Sequence, residues 1–231
     1  MNRLRPKTTL FMLMSLDGKI STGRSENLDV DTDFPNIKGL AEGLYQYYEL
    51  EQKTDLHSFC TGRVQAKIGV NNKQEAIKTD VSFIIIDNKP HLTETGVKYF
   101  INRSNKFYLV TTNKLHPAFQ ISRPDNLEIL YYDNKIDFED LFFKFNSVYN
   151  INAITIQSGG TLNAILLRLG LIDYVSIVIA PCLIGGENTA SIIDGQSFTK
   201  QSDLLKIKTL ELISCKTLEN SYLHLEYRVN N

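Results

Sequence analysis

The chain has 231 residues, 42% of them hydrophobic, and a formal net charge of −1, enough apolar material for the core of a globular protein of moderate size. Its 25 Lys and Arg against 26 Asp and Glu leave no basic excess of the kind that marks a nucleic-acid partner, and no apolar run reaches membrane-spanning length. Three scattered cysteines, Cys60, Cys182 and Cys215, exclude a disulfide framework and read as small buried hydrophobes, while the four histidines lack metal-ligand spacing.

The N-terminal stretch is basic and then apolar, as in a signal peptide. It breaks at Asp17 without a small-residue cleavage site, so a strand over 9–16 of a cytoplasmic protein is expected. A polar loop follows at 21–36, and loops of that length are often functional. A helix is predicted over 37–52, with Leu40, Leu44, Tyr47 and Tyr48 on one side. Apolar runs at 82–87, 106–112, 127–133, 153–157 and 173–181 read as strands covered on both faces. Residues 137–149 open with acidic residues, which suit a helix N-terminus. A helix from Thr161 to Gly170 places Leu162, Ile165, Leu166 and Leu169 on one stripe, with Gly170 as its cap. Residues 205–229 form two alternating runs around Leu218–Ser221, read as a half-exposed antiparallel hairpin. Strands alternating with helices give an α/β fold with a mostly parallel sheet flanked by helices, expected as a single domain over residues 1–231.

Between the run ending at Gln157 and the following helix stand Gly159 and Gly160. Two readings are open: a tight turn, or a helix start whose bare amides receive a phosphate, with the Thr161 hydroxyl as a further donor. Neither G-x-G-x-x-G nor G-x-x-x-x-G-K-[ST] is present, which removes the two commonest nucleotide cradles.

The segments "MSLDGKIS" (14–21), "TGR" (61–63) and 156–186, in that order, resemble the reductase domain of the bifunctional riboflavin-biosynthesis deaminase–reductase and its stand-alone relatives. The resemblance covers nearly the whole chain. It implies a three-layer dihydrofolate-reductase-like fold, NADPH as cofactor, and reduction of the ribose of a phosphorylated pyrimidine substrate to ribitol. By position it implies cofactor contacts from Ile20, Gly62, Arg63, Thr111, Thr112, Ser158, Gly159, Gly160, Thr161 and Leu162. Arg63 is expected to pair with the cofactor 2′-phosphate; the alternative is a solvated arginine opening a helix. The threonine pair is equally at home as ordinary strand-end residues. Lys19 and Asp17 are the candidate catalytic residues, Lys19 for developing oxygen charge and Asp17 for orienting it or relaying a proton; the alternative is an exposed turn. Ser25 and Gln157 are the candidate substrate contacts. Gly160→Asp is expected to weaken the cofactor while leaving the fold intact. The family tends to dimerise, and the apolar stretch 173–186 is expected to serve a homodimer.

Three departures fall on the substrate side. The family pattern G-S-x-T-V-x-x-D-D-P is replaced by "TGRVQAKIGVNN" (61–72), a usual Glu by Gln157, and a usual Trp near Ser25 is absent, the chain having no Trp. The zinc deaminase motifs are missing. Two rivals follow: an NADPH reductase of a pterin or another pyrimidine on the same fold, and a nucleotide-binding protein without turnover.

Overall fold

The computed structural model describes residues 4–25 and 27–231. Nine strands and six α-helices occur among the described residues, in the order β1 (Lys7–Ser15), α1 (Val30–Asp33), α2 (Ala41–Glu51), β2 (His57–Thr61), α3 (Gly62–Lys67), β3 (Ser82–Ile86), α4 (Glu94–Arg103), β4 (Phe107–Thr111), β5 (Leu127–Tyr131), α5 (Phe138–Ser147), β6 (Ala153–Ile156), α6 (Gly160–Arg168), β7 (Tyr174–Ala180), β8 (Leu210–Thr217) and β9 (Leu223–Val229). The chain groups into two compact units, 1–6 with 55–158 and 7–54 with 159–231.

In the first unit the strands lie in the order β5-β4-β3-β2-β6 and all run parallel. Alternation along each strand feeds two cores. Cys60, Ile85, Phe107 and Leu109 meet Val97 and Phe100 of α4 on one face. On the other, Phe59 packs against Phe142 and Tyr108 against Phe145, both from α5. Both faces are therefore covered, which explains the near-continuous apolar strands. Thr93 and Asp137 cap α4 and α5 by accepting the amides of Gly96 and Asp140.

In the second unit β1 pairs parallel with β7, β7 antiparallel with β9, and β9 antiparallel with β8. Phe11, Leu13 and Val178 share a core with Leu44 and Tyr47 of α2, as the spacing in 37–52 predicts. The architecture is thus α/β, mostly parallel, with a C-terminal antiparallel hairpin.

Several expectations are corrected. The segment 21–36 is not a bare loop: it contains α1, and Val30 and Phe34 are buried in the α2 core. Glu26, within the Ser25 segment, lies outside the described residues. Cys60 is buried and Cys182 half-buried, but Cys215 is exposed because β8 is an edge strand. Within the stretch 173–186, β7 lies between β1 and β9 and is mostly buried, while Leu183 beyond it is 74% exposed. Exposed apolar side chains lie also on β8, at Leu210, Leu212 and Ile213. In β9, polar His224 is buried and bonds Ser176 through Nε2 at 2.8 Å, so strict alternation fails there.

Candidate functional site

In the second unit β1 stops at a tight turn. Gly18 adopts φ 79°, a conformation that favours glycine, and its amide donates to the Ser15 carbonyl while Ser15 N–H donates to that of Lys19. Asp17 closes the turn. Its carboxylate accepts from Ser15 Oγ at 2.5 Å and from the amides of Ile184 and Gly185 at 3.0 and 2.6 Å. The Ser15 hydroxyl bond, helped by these amides, holds the Asp17 carboxyl down to about 2. An acid so firmly ionised is a poor proton carrier near neutrality. Nor does Asp17 orient the Lys19 ammonium directly. It fixes Ser15 Oγ, which accepts the Lys19 amide at 2.9 Å. The Lys19 ammonium is held by two neutral oxygens, the Thr189 carbonyl at 3.0 Å and Ser191 Oγ at 3.2 Å. Ile20, half-buried, donates its amide to the Ala190 carbonyl at 3.0 Å.

Helix α6 starts in the same unit. Gly159 is its N-cap with φ −71° and ψ 155°, and no side chain caps it. The Gly159 carbonyl accepts the amides of Leu162 and Asn163, so the amides of Gly160 and Thr161 stand at the uncapped first turn. Thr161 is exposed and Leu162 half-buried. The two glycines have different tasks. A Cβ on Gly159 would meet nothing within 4 Å, whereas one on Gly160 would lie 2.0 Å from the Ser191 carbonyl oxygen and 2.7 Å from Asp194 Oδ2. Gly160 therefore admits a neighbouring segment, and Gly159 leaves the helix start bare. An uncapped start with a hydroxyl beside it offers the donor set an anion requires. Gly160→Asp would break this packing, so Gly159 is the position at which a carboxylate tests the anion without unfolding the helix start.

The segment against Gly160, residues 184–194, joins the turn to the helix. Besides the Lys19 and Ile20 bonds, Ile192 N–H donates to the Gly18 carbonyl at 3.0 Å and Asp194 N–H to the Gly160 carbonyl at 3.1 Å. Fully buried Asn163 donates from Nδ2 to the Ile192 carbonyl at 2.9 Å. This strap is absent from the sequence reading, as is Asn163. The buried face of α6 is Gly160, Asn163, Ala164 and Leu166; Ile165 and Leu169, placed on the apolar stripe, are 40% and 42% exposed. A polar residue inside an apolar helix was the available signal.

Ser25, also in this unit, is exposed, and its carbonyl accepts the Leu28 amide at 3.0 Å.

In the first unit Thr61 caps α3 by accepting from Val64 N–H, Gly62 is buried and Arg63 exposed. A Cβ on Gly62 would lie 2.3 Å from the Asp87 carboxyl carbon. Asp87 is buried and accepts from His116 Nε2 at 3.0 Å, His91 Nδ1 at 3.0 Å, and the amides of His91 and Leu92 at 3.1 and 2.9 Å. Ala118 N–H donates to His116 Nδ1 at 3.1 Å, which assigns the proton to Nε2. Burial alone would raise the Asp87 carboxyl, but the His116 bond and its companions lower it. Both ring protons point at Asp87, and among the described residues no three such side chains are arranged to hold a metal ion. Thr111 is buried, its hydroxyl donating to the Asp87 carbonyl at 2.8 Å and accepting Asn113 N–H at 3.1 Å. That commits the hydroxyl inside the unit. Thr112 donates its amide to Asn88 Oδ1 at 3.0 Å. Gln157 Oε1 accepts from Ser58 Oγ at 3.3 Å, its backbone N–H donates to the Phe59 carbonyl, and Ser158 is buried.

Residues 6–223 match the family described as the RibD C-terminal domain. A protein of Methanothermobacter thermautotrophicus named 2,5-diamino-6-ribosylamino-4(3H)-pyrimidinone 5′-phosphate reductase is 23% identical over 98% of this chain and 99% of its own length. Among solved structures, RibD of Acinetobacter baumannii has a TM-score of 0.65 at 16% identity over 98% of this chain, which spans 59% of that one. Riboflavin biosynthesis reductase Rib7 of Saccharomyces cerevisiae has a TM-score of 0.61 at 17% identity, over 100% of this chain and 92% of its own. The α/β fold is shared with both.

Proposed function

We infer that this chain, which belongs to the RibD C-terminal domain family, is an NADPH-dependent reductase that converts the ribose of a phosphoribosylaminopyrimidine to ribitol. The observation that carries this reading is the end-to-end match, over 98% of this chain, to a protein named for such a substrate. The match covers residues of both units, in keeping with one reductase domain over 1–231.

Bound NADPH supplies the hydride. In the second unit the first-turn amides of α6, with the Thr161 hydroxyl and the open face of Gly159, suit its diphosphate, and Ile20 is assigned to its nicotinamide. Ser158 and Leu162 flank the same helix start. In the first unit Gly62, Arg63, Thr111 and Thr112 are assigned to the adenosine end. Arg63 supplies the charge for the 2′-phosphate, and with the Thr111 hydroxyl buried, half-buried Thr112 is the accessible contact of the pair. Lys19 stabilises the oxygen released when the ribose ring opens, since an ammonium held by neutral oxygens keeps its full charge for that atom. The proton then comes from water, because Asp17 stays ionised and serves as the clamp of the turn. Gln157 and Ser25 are assigned to the substrate. A cytoplasmic homodimer belongs to the same reading; the exposed apolar residues of β8 favour self-association, and a monomer by sedimentation at micromolar concentration would remove that part.

The test is NADPH consumption against a panel. Loss of reduced-nicotinamide absorbance with the phosphoribosylaminopyrimidine supports the reading. Consumption with dihydrofolate alone assigns the protein to pterin reduction, and cofactor binding without turnover on the whole panel makes it a non-catalytic binder.

A further inference from the structure

We propose that Asn163 is a positioning residue for Lys19, acting through the strap 184–194. This rests on the role assigned to Lys19 above. Asn163 stands three residues after Gly160, so the two share one face of α6, and both lie on its buried side. Gly160 lets the strap approach; Asn163 fixes it. Its amide nitrogen donates to the Ile192 carbonyl at 2.9 Å, and the Ile192 amide in turn donates to the Gly18 carbonyl at 3.0 Å. Residue 192 thus joins the helix to the turn that carries Lys19. Immediately before it, Ser191 Oγ and the Thr189 carbonyl hold the ammonium, and Ser191 pairs with Lys19 as an antiparallel bridge. Every acceptor of the ammonium therefore sits within three residues of the Asn163 bond. Asn163 is fully buried, and a buried amide is retained where its hydrogen bonds specify one arrangement. Its own position, on the helix whose first turn is assigned to the cofactor, makes it the link between that helix and the charge.

Two measurements test this. The first needs no activity: the rate at which Lys19 is modified by an amine-reactive acylating reagent, followed by peptide mass spectrometry. Asn163→Ala, checked for folding by its melting profile, is expected to raise that rate several-fold while other lysines stay unchanged. Ser191→Ala, at a half-exposed position that tolerates the change, is expected to raise it as well. An unchanged Lys19 rate in Asn163→Ala overturns the proposal, whatever Ser191→Ala shows. The second is a kinetic cycle. Asn163→Ala is expected to lower turnover by about ten- to hundredfold, the effect of misplacing a reacting group by an ångström, with NADPH affinity kept within about twofold. In a Lys19→Met background the same change is expected to have no further effect. Loss of NADPH affinity at unchanged turnover, or full multiplication of the two effects, overturns it. Lys19→Met with wild-type turnover would instead remove the catalytic role of Lys19, and the labelling result would still decide whether Asn163 holds it.

Discussion

The glycines at 159 and 160 are expected to respond in opposite ways to the addition of one methyl group. In Gly160→Ala the new Cβ would sit 2.0 Å from the Ser191 carbonyl oxygen. Ordinary C···O contact begins near 3.3 Å, so the strap must retreat by about 1.3 Å. The obstacle is backbone, pinned by the Ile192 and Asp194 amide bonds, and a side-chain rotation cannot relieve it. Overpacking of this kind is destabilising by about 1–3 kcal/mol, less the roughly 0.5–1 kcal/mol that alanine recovers over glycine in a helix. A net loss of about 1 kcal/mol corresponds to roughly 2–4 °C in melting temperature for a chain of this size. In Gly159→Ala the backbone is already extended at φ −71° with nothing within 4 Å. The change should be neutral or stabilising by up to about 1 kcal/mol, through the unfolded chain. Urea and thermal unfolding of both variants, followed by circular dichroism, make the comparison. If Gly160→Ala melts with the wild type, or Gly159→Ala is the more damaging, the division of tasks between the glycines is wrong.

Gly159→Asp should keep the fold and weaken NADPH at least tenfold, about 1.4 kcal/mol, by fluorescence titration; unchanged affinity removes the diphosphate assignment. Arg63→Ala should weaken NADPH by one to two decades, about 1.5–3 kcal/mol, and leave NADH nearly untouched, whereas equal loss for both makes Arg63 structural. Asp17 is ionised in the fold down to about 2, below its ordinary range, so its clamp is fully present above about pH 4 and is lost as pH falls toward 2. The stability gap between wild type and Asp17→Asn should therefore close over that window, and a gap that stays constant with pH contradicts the clamp. Asp87→Asn turns a buried acceptor of four donor groups partly into a donor; a loss of about 3 kcal/mol is expected in urea, and less than about 1 kcal/mol would mean that the network relaxes freely.

Eight of the nine strands among the described residues were legible because each is an apolar or alternating run of four to nine residues paired within a sheet; β2, His57–Thr61, has no such run and was not read from its pattern. The glycine junction was legible as a helix start because an apolar strand ends there and a periodic pattern begins. Helices α3 and α4 were not read from periodicity, being short and rich in polar residues. The buried face of α6 was only partly legible, for a different reason. Leucine spacing favoured Leu162, Ile165, Leu166 and Leu169, of which Leu166 is buried, but the helix also packs a backbone strap against Gly160 and Asn163. Such contacts join residues about thirty positions apart and leave no local pattern. The same holds for Asp87, whose partners His91, His116 and Gly62 come from three segments. Lys19 and Asp17 could be singled out from the sequence, but not what holds them: the acceptors of Lys19 lie on the strap, and those donating to Asp17 include the amides at 184 and 185.

The most direct measurement is the mass of the product formed with NADPH deuterated at the transferable position. The account predicts a phosphoribosylaminopyrimidine converted to its ribityl form with one deuterium on the former anomeric carbon, located by fragmentation. It also predicts that Lys19→Met forms the same product at least about tenfold more slowly with NADPH binding intact. Substrate recovered unchanged by the wild type, or deuterium found on the pyrimidine ring instead of the sugar, would contradict it.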